Sequence, residues 1–295
     1  MRLAGNCGAA LTLKSKVADL EAPLRPAAVW NAAEYAANSA VQQTWARELI
    51  ARLHLRGQEL VLDVGCGDGK VTAEIARAVP HGRVLGIDNS PEMMAFAQAT
   101  FPPAIIANLK FQVCDARRIG SALGTFDLLF SNAALHWVDD HEAVLGGAAS
   151  VLKPGGRLVV SCGGKGNAHD VFLALRPEMR LQRWRAYFRK LPAPYFFHAP
   201  GDYEKWLPKW GFKINHLRLA PKDATYAGAD GFATWLRTTW LPYVQRVPEN
   251  LREHFIAAVT RRYVAKHPPD AEGKVHVRMM RLEIEAVKAM VKDDR

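Results

Sequence analysis

Glu59-Leu-Val-Leu-Asp-Val-Gly-Cys-Gly-Asp-Gly-Lys70, with Asp88 some twenty residues beyond it, decides how this 295-residue chain folds. Leu60, Val61, Leu62 and Val64 make a short, nearly continuous apolar run, which suits a parallel strand buried on both faces. Gly65, Gly67 and Gly69 then form a turn where backbone can approach a ligand that a Cβ would meet. Val71 to Val79 follows as a helix, with Val71, Ile75, Ala78 and Val79 on its buried side. A second strand, Arg83-Val-Leu-Gly-Ile87, ends in Asp88. A carboxylate at that point can accept both hydroxyls of a ribose, as in nucleotide-binding βαβ units. The predicted class is α/β.

A glycine turn by itself also fits a tight strand-to-helix connection with no ligand. The spacing narrows the choice. Gly-x-Gly-x-Gly is not the Gly-x-Gly-x-x-Gly of dinucleotide folds, and no Gly-Lys-Ser/Thr follows to hold a triphosphate. Asp63 at the turn would repel a diphosphate and attract a ligand ammonium. Through Leu62-Asp-Val-Gly-Cys-Gly-Asp-Gly69 the chain resembles the class I S-adenosylmethionine-dependent methyltransferases. That resemblance implies a Rossmann-like seven-stranded sheet, mostly parallel with the last strand antiparallel, and helices on both faces. It also implies S-adenosyl-L-methionine as cofactor and S-adenosyl-L-homocysteine as product.

Working outward, Trp30 to Leu53 reads as helical, with Val41, Trp45, Leu49 and Leu53 repeating at fours. Tyr35, Ser39 and Gln42 or Gln43 share a polar face that can close the cofactor mouth. Ser90 is a predicted N-cap with Pro91 at the first helical position, and Met93 then faces either adenine or the core. The third strand, Leu109 to Cys114, ends in Asp115-Ala116. The resemblance implies that Asp115 accepts the adenine amino group; alternatively it caps the following turn. Phe126 to Ser131 is the fourth strand, and Asn132-Ala-Ala-Leu-His-Trp137 leaves the end where open α/β sheets bind ligands. A helix over Glu142–Leu152, the family's Lys153-Pro-Gly-Gly156 turn and a fifth strand over Arg157–Cys162 follow. The resemblance thus places cofactor contacts at Tyr35, Ser39, Gln42, Asp63, Gly65, Cys66, Gly67, Asp88, Asn89, Met93, Asp115, Ala116, Asn132 and Ala133.

The rest of the chain reads as late sheet and cap. Trp210 to Leu219 is a helix end and sixth strand, and Val275 to Val287 a seventh. Asp230–Tyr243 and Pro248–His267 are predicted helices which, with Val171–Lys190, would cover the site. The expected organisation is a disordered tail over 1–28, a cofactor-binding core over 29–167, a cap or linker helix over 168–200 and the sixth strand region over 201–226. A helical cap over 227–274 and the last strand over 275–295 complete it.

Composition bounds the function. Of the residues, 49% are apolar, yet no run approaches the ~20 needed to span a bilayer, so no membrane association is expected. Cys7, Cys66, Cys114 and Cys162 are scattered without metal-ligand spacing, so no metal is expected and a reducing cytoplasm fits. The net charge of +10 is uneven: up to Asp170 there are 16 basic and 16 acidic residues, and beyond it 23 and 13. That excess suits an anionic substrate, a nucleic-acid face or well-solvated helices. Nucleic-acid methylation is disfavoured, because Asn132-Ala-Ala-Leu lacks the Pro-Pro-aromatic platform of amino-methylating DNA enzymes and no RNA-binding module is attached.

Methyl transfer needs alignment in a dry pocket more than acid–base chemistry. No local Asp/His or Tyr/Lys pair marks a dedicated base. His136, in the predicted reaction loop, is the candidate catalytic residue, as a positioning group more than a base. The helix from Trp30, the loop through Trp137 and Arg281-Leu-Glu resemble the trans-aconitate methyltransferases and related carboxyl O-methyltransferases, over about Trp30 to Val287. This implies a small, anionic substrate whose carboxylate is already ionised at neutral pH. Predicted substrate contacts are His136, Trp137, Arg237 and Trp240, with Arg able to grip a carboxylate in bidentate fashion. His276, Arg278 and Arg281 add positive charge near the last strand. C- or N-methylation of a small metabolite, and a cofactor-binding protein without turnover, remain as alternatives.

Overall fold

The computed structural model describes residues 30–38 and 40–290. The predicted tail over 1–28, Ser39, the side chain of Gln42 and residues 291–295 lie outside the described residues. The apolar run forms β1 (Leu60–Val64), with four of its five residues buried. It is apolar on both faces because it is central: β1 pairs in parallel with β2 (Arg83–Asp88) on one side and β4 (Phe126–Asn132) on the other. With β3 (Leu109–Val113), β5 (Leu152–Gly163), β6 (Phe212–Ala227) and β7 (Lys274–Lys288), the sheet has seven strands in the order β3-β2-β1-β4-β5-β7-β6. Only β7 runs against its neighbours. The chain reverses its direction of winding between β1 and β4, which opens a crevice at their C-terminal ends.

Side-chain alternation along β1 assigns its two faces to two cores. Leu62 and Val64 pack with Leu145 and Ala148 of α5 (His141–Val151) and Leu207 of α7 (Pro200–Lys209). Val61 packs on the other face with Leu49 of α2 (Ala40–Ala51) and with Ile75 and Ala76 of α3 (Lys70–Ala78). The buried face of α3 is Thr72, Ala73, Ile75 and Ala76, whereas Ala78, expected inside, is exposed. The helical run from Trp30 is divided into α1 (Ala32–Asn38) and α2. Ser90 caps α4 (Pro91–Thr100) as predicted, its Oγ accepting the Met93 N–H at 3.1 Å.

Two strand expectations are corrected. β5 starts at Leu152, taking in Lys153-Pro-Gly-Gly156, with Gly155 at φ +76° and a register shift against β4. β6 does not stop at Leu219. Pairing of β5 with β7 ends at Gly163–Arg281, but β6 and β7 continue together from Ala220–Arg281 to Ala227–Lys274. A bare two-stranded ribbon is marginal in water, and here it is covered. Ala224, Val275, Val277 and Met279 on the ribbon pack with α6 (His169–Arg180), α8 (Gly228–Thr239), α9 (Leu241–Val244) and α10 (Glu249–Val264). The cap is therefore a third core built on the overhang. Among the described residues no helix is long and apolar enough to cross a membrane.

Candidate active site

The turn after β1 is pinned to the end of β2. The N–H groups of Gly65 and Cys66 both donate to the Ile87 carbonyl, at 2.7 and 3.0 Å. Gly65 has φ +73°, and a Cβ there would lie 2.2 Å from the Ala134 Cβ, so the turn and the loop after β4 touch directly. The Gly67 N–H donates to Asp88 Oδ2 at 3.1 Å and the Ser90 N–H to Asp88 Oδ1 at 2.9 Å. With the Asn89 N–H also reaching the carboxylate, Asp88 still keeps acceptor capacity for a ribose hydroxyl. Burial raises the Asp88 pKa, and the backbone N–H groups oppose it. A glycine cradle beside a carboxylate with spare acceptors fits the adenosine half of S-adenosylmethionine.

The structure revises several expected contacts. Asp63 is 2% exposed and accepts a hydrogen bond from Thr72 Oγ1 at 2.7 Å. Burial pushes its pKa up to about 7, and it braces the start of α3 instead of presenting a carboxylate to a ligand ammonium. Asp115 caps the turn Ala116–Arg118 through the Arg117 N–H at 2.9 Å and pairs with the Arg117 guanidinium at 2.5 and 3.0 Å. Burial opposes its ionisation, but Arg117 holds the carboxyl below its usual range. The capping alternative is realised, and any adenine amino group shares Asp115 with Arg117. Met93 is buried with Cys66 under Trp30 and Tyr35, so its face is closed by α1. Asn89 is exposed beside Asp88. Burial raises the pKa of Tyr35, and the charges of Asp68 and Asp88 add to this.

Beyond the turn lies an open pocket. Ala133, His136 and Trp137 line it from the β4 loop; Trp30, Tyr35 and Trp45 from the N-terminal helical segment; Trp235, Thr239 and Trp240 from the end of α8. Ala133 holds φ +57° and donates its N–H to the Ser161 carbonyl at 2.7 Å, which fixes the loop. His136 Nδ1 accepts the Gly163 N–H at 3.2 Å, so in the neutral ring the proton sits on Nε2. Burial, then the charge of Arg281 and His141, pushes the His136 pKa down to about 3. The imidazole is a neutral hydrogen-bond donor, not a base.

Arg281 is the cation of this pocket. It is 4% exposed on β7, opposite Gly163. Its Nη2 donates to Asn132 Oδ1 at 2.9 Å and to Ser161 Oγ and O at 2.7 and 2.9 Å, and its guanidinium lies over the Trp45 ring at 5.2 Å. No carboxylate among the described residues forms an ion pair with it. Arg237, expected to grip substrate, is instead paired with Glu253 at 2.6 and 2.7 Å and does not line the pocket. A helix face that carries Trp235 inward carries Arg237 away from it. His276 sits between Asp223 and Asp270, also outside. Tyr195, Phe197 and Asn167 line the pocket without having been foreseen. The aromatic run Tyr195-Phe-Phe197 was the available signal.

A methyltransferase domain family matches residues 61–156. A trans-aconitate 2-methyltransferase of Rhodopseudomonas palustris is 30% identical over 271 residues, 88% of this chain and 99% of that protein. Among solved structures, the YcgJ protein from Bacillus subtilis superposes with a TM-score of 0.55 at 16% identity, over 83% of this chain and 97% of that one. A phosphoethanolamine N-methyltransferase 2 of Haemonchus contortus, solved with S-adenosylhomocysteine, gives a TM-score of 0.51 at 17% identity, over 84% and 53%. At such identities the structures show the shared fold.

Proposed function

The chain belongs to the class I S-adenosylmethionine-dependent methyltransferases, and from that premise we propose that it O-methylates the carboxylate of a small acid. The observation that carries this is Arg281, a buried guanidinium at the pocket with no direct ion pair among the described residues, Glu283 and Glu48 acting on it only from a distance. A buried charge without a directly paired counter-ion is costly, and an anionic ligand lowers that cost. The relative from Rhodopseudomonas palustris, which carries a carboxylic acid in its name, points the same way.

The bound cofactor supplies a methyl group on a sulfonium; when a carboxylate oxygen attacks it in line, the S–C bonding pair stays on sulfur and no proton is released. The chain's own residues have three tasks. Arg281 orients the acid and neutralises it on entry. His136 donates Nε2–H toward an oxygen, from a ring that Gly163 holds still. The rings of Trp30, Trp137 and Trp240 exclude water, which favours transfer over a solvated nucleophile. A base is not needed, in agreement with the ionisable acceptors among the described pocket-lining side chains: His136, whose pKa burial lowers, and two tyrosines, whose pKa values burial raises.

The test is release of S-adenosylhomocysteine by the purified protein against small acids, with an amine and an RNA as controls. Turnover giving a base-labile methyl ester is expected. Turnover confined to the amine or to a carbon acid would replace this reading with N- or C-methylation.

A further inference from the structure

Resting on the carboxylate reading above, we infer that the accepted acid is a monocarboxylate with a large apolar body, its carboxylate on Arg281 and its body against an aromatic wall.

The charges of the pocket set the first limit. Arg281 is the only cation among its described lining residues, since His136 is neutral and Arg237 faces Glu253. Its Nε and Nη2 are taken by Ser161 and Asn132, which leaves Nη1 without a partner among the described residues. That is enough for one carboxylate.

The walls set the second limit. Trp137 and Tyr195 have ring centroids 4.8 Å apart, Tyr195 and Phe197 stack at 5.4 Å and 9°, and Tyr195 and Trp240 meet at 5.7 Å. The hydroxyls of this wall and the Asn167 side-chain carbonyl are already used. The Tyr195 hydroxyl donates to the Thr239 carbonyl at 3.1 Å, the Thr239 hydroxyl to the Trp235 carbonyl at 2.6 Å, and Asn167 Oδ1 accepts the Met280 N–H at 3.0 Å. The wall is also preformed. The Phe196 N–H donates to the His136 carbonyl at 2.9 Å, tying the Tyr195–Phe197 segment to the reaction loop. A second or third carboxylate would be stripped of water against the negative faces of these rings, with no second cation among the described lining residues to neutralise it. An aryl or long-chain body gains by burial there.

The cofactor's amino-acid part carries a carboxylate too, so the experiment must separate two sources of the same chemistry. Wild-type protein is assayed with 4-phenylbutyrate, indole-3-acetate and decanoate against succinate and trans-aconitate. Binding of each acid in the presence of S-adenosylhomocysteine is followed by tryptophan fluorescence. The expectation is at least a tenfold higher kcat/KM and tighter binding for the apolar monoacids. Arg281→Met, with Arg281→Lys as a milder variant, should weaken acid binding tenfold or more and change S-adenosylhomocysteine affinity by less than threefold. Trp240→Ala should raise KM for the apolar acids while sparing the cofactor. A preference for trans-aconitate would overturn this inference and leave carboxyl methylation standing. So would loss of S-adenosylhomocysteine affinity in the Arg281 variants with unchanged acid binding, because the guanidinium would then belong to the cofactor. No binding or turnover of any acid would remove both readings.

Discussion

Asp88 and His136 show how single side chains are tuned by their surroundings. Asp88 is reached by the backbone N–H groups of Gly67, Ser90 and Asn89 and has acceptor capacity left over. Asp88→Ala should weaken S-adenosylhomocysteine binding by about a hundredfold or more, since hydrogen bonds to a charged group contribute about 1.5–3 kcal/mol each. Titration calorimetry checks this, and an unchanged affinity would contradict the assignment of β2 to the ribose. His136 has its pKa lowered to about 3, so it stays neutral through any ordinary assay. The pH profile of kcat/KM should therefore show no ionisation near 6.5 that disappears in His136→Gln. Asp88 could be placed from sequence because a short-range pattern, strand then carboxylate, fixes it. The tautomer of His136 could not, because its partner is the N–H of Gly163, at the end of a different strand.

At the scale of elements, the glycine turn is constrained twice. Gly65 needs φ +73° and has the Ala134 Cβ 2.2 Å from where its own Cβ would stand. Gly211 has φ +74° with nothing within 4 Å. Gly211→Ala should then cost only backbone strain, about 1–2 kcal/mol, while Gly65→Ala should cost several kcal/mol and impair cofactor binding as well. Equal losses in a denaturation series would mean that the turn and the β4 loop are not in contact. On α8, Arg237→Ala removes a pair exposed at both ends, 34% and 64%. It should leave acid KM within twofold and cost less than about 1 kcal/mol. Sequence placed Arg237 and Thr239 on one helix, but ran it on through Trp240, where α8 stops, and could not give its rotation about its axis. Rotation is decided by what Phe232, Trp235 and Leu236 bury against.

For the whole molecule, acid stability is a readable consequence of packing. His141 is 2% exposed, bonded through Nδ1 to the Tyr203 hydroxyl at 2.5 Å, with the His198 ring 4.4 Å away. Burial, then His198, pushes its pKa down to about 4. The unfolded chain therefore takes up a proton first, and stability falls as pH drops from about 6.5 to about 4, by at most about 3 kcal/mol from this group. His141→Gln should lose less stability than wild type between pH 7 and pH 4.5 in urea titrations. An identical slope would show that His141 does not titrate this way.

The sequence by itself determined the βαβ start, the cofactor, the seven strands and the existence of a late cap. Those follow from local periodicity, glycine spacing and a carboxylate at a strand end, all of which act over a few residues. Tertiary structure alone decided the length of β6, the burial of Asp63, and the substitution of Arg281 for Arg237 as the pocket's cation. Each of these depends on which distant segments meet: β7 brings Arg281 to Asn132 across 149 residues, and no local pattern records such a contact.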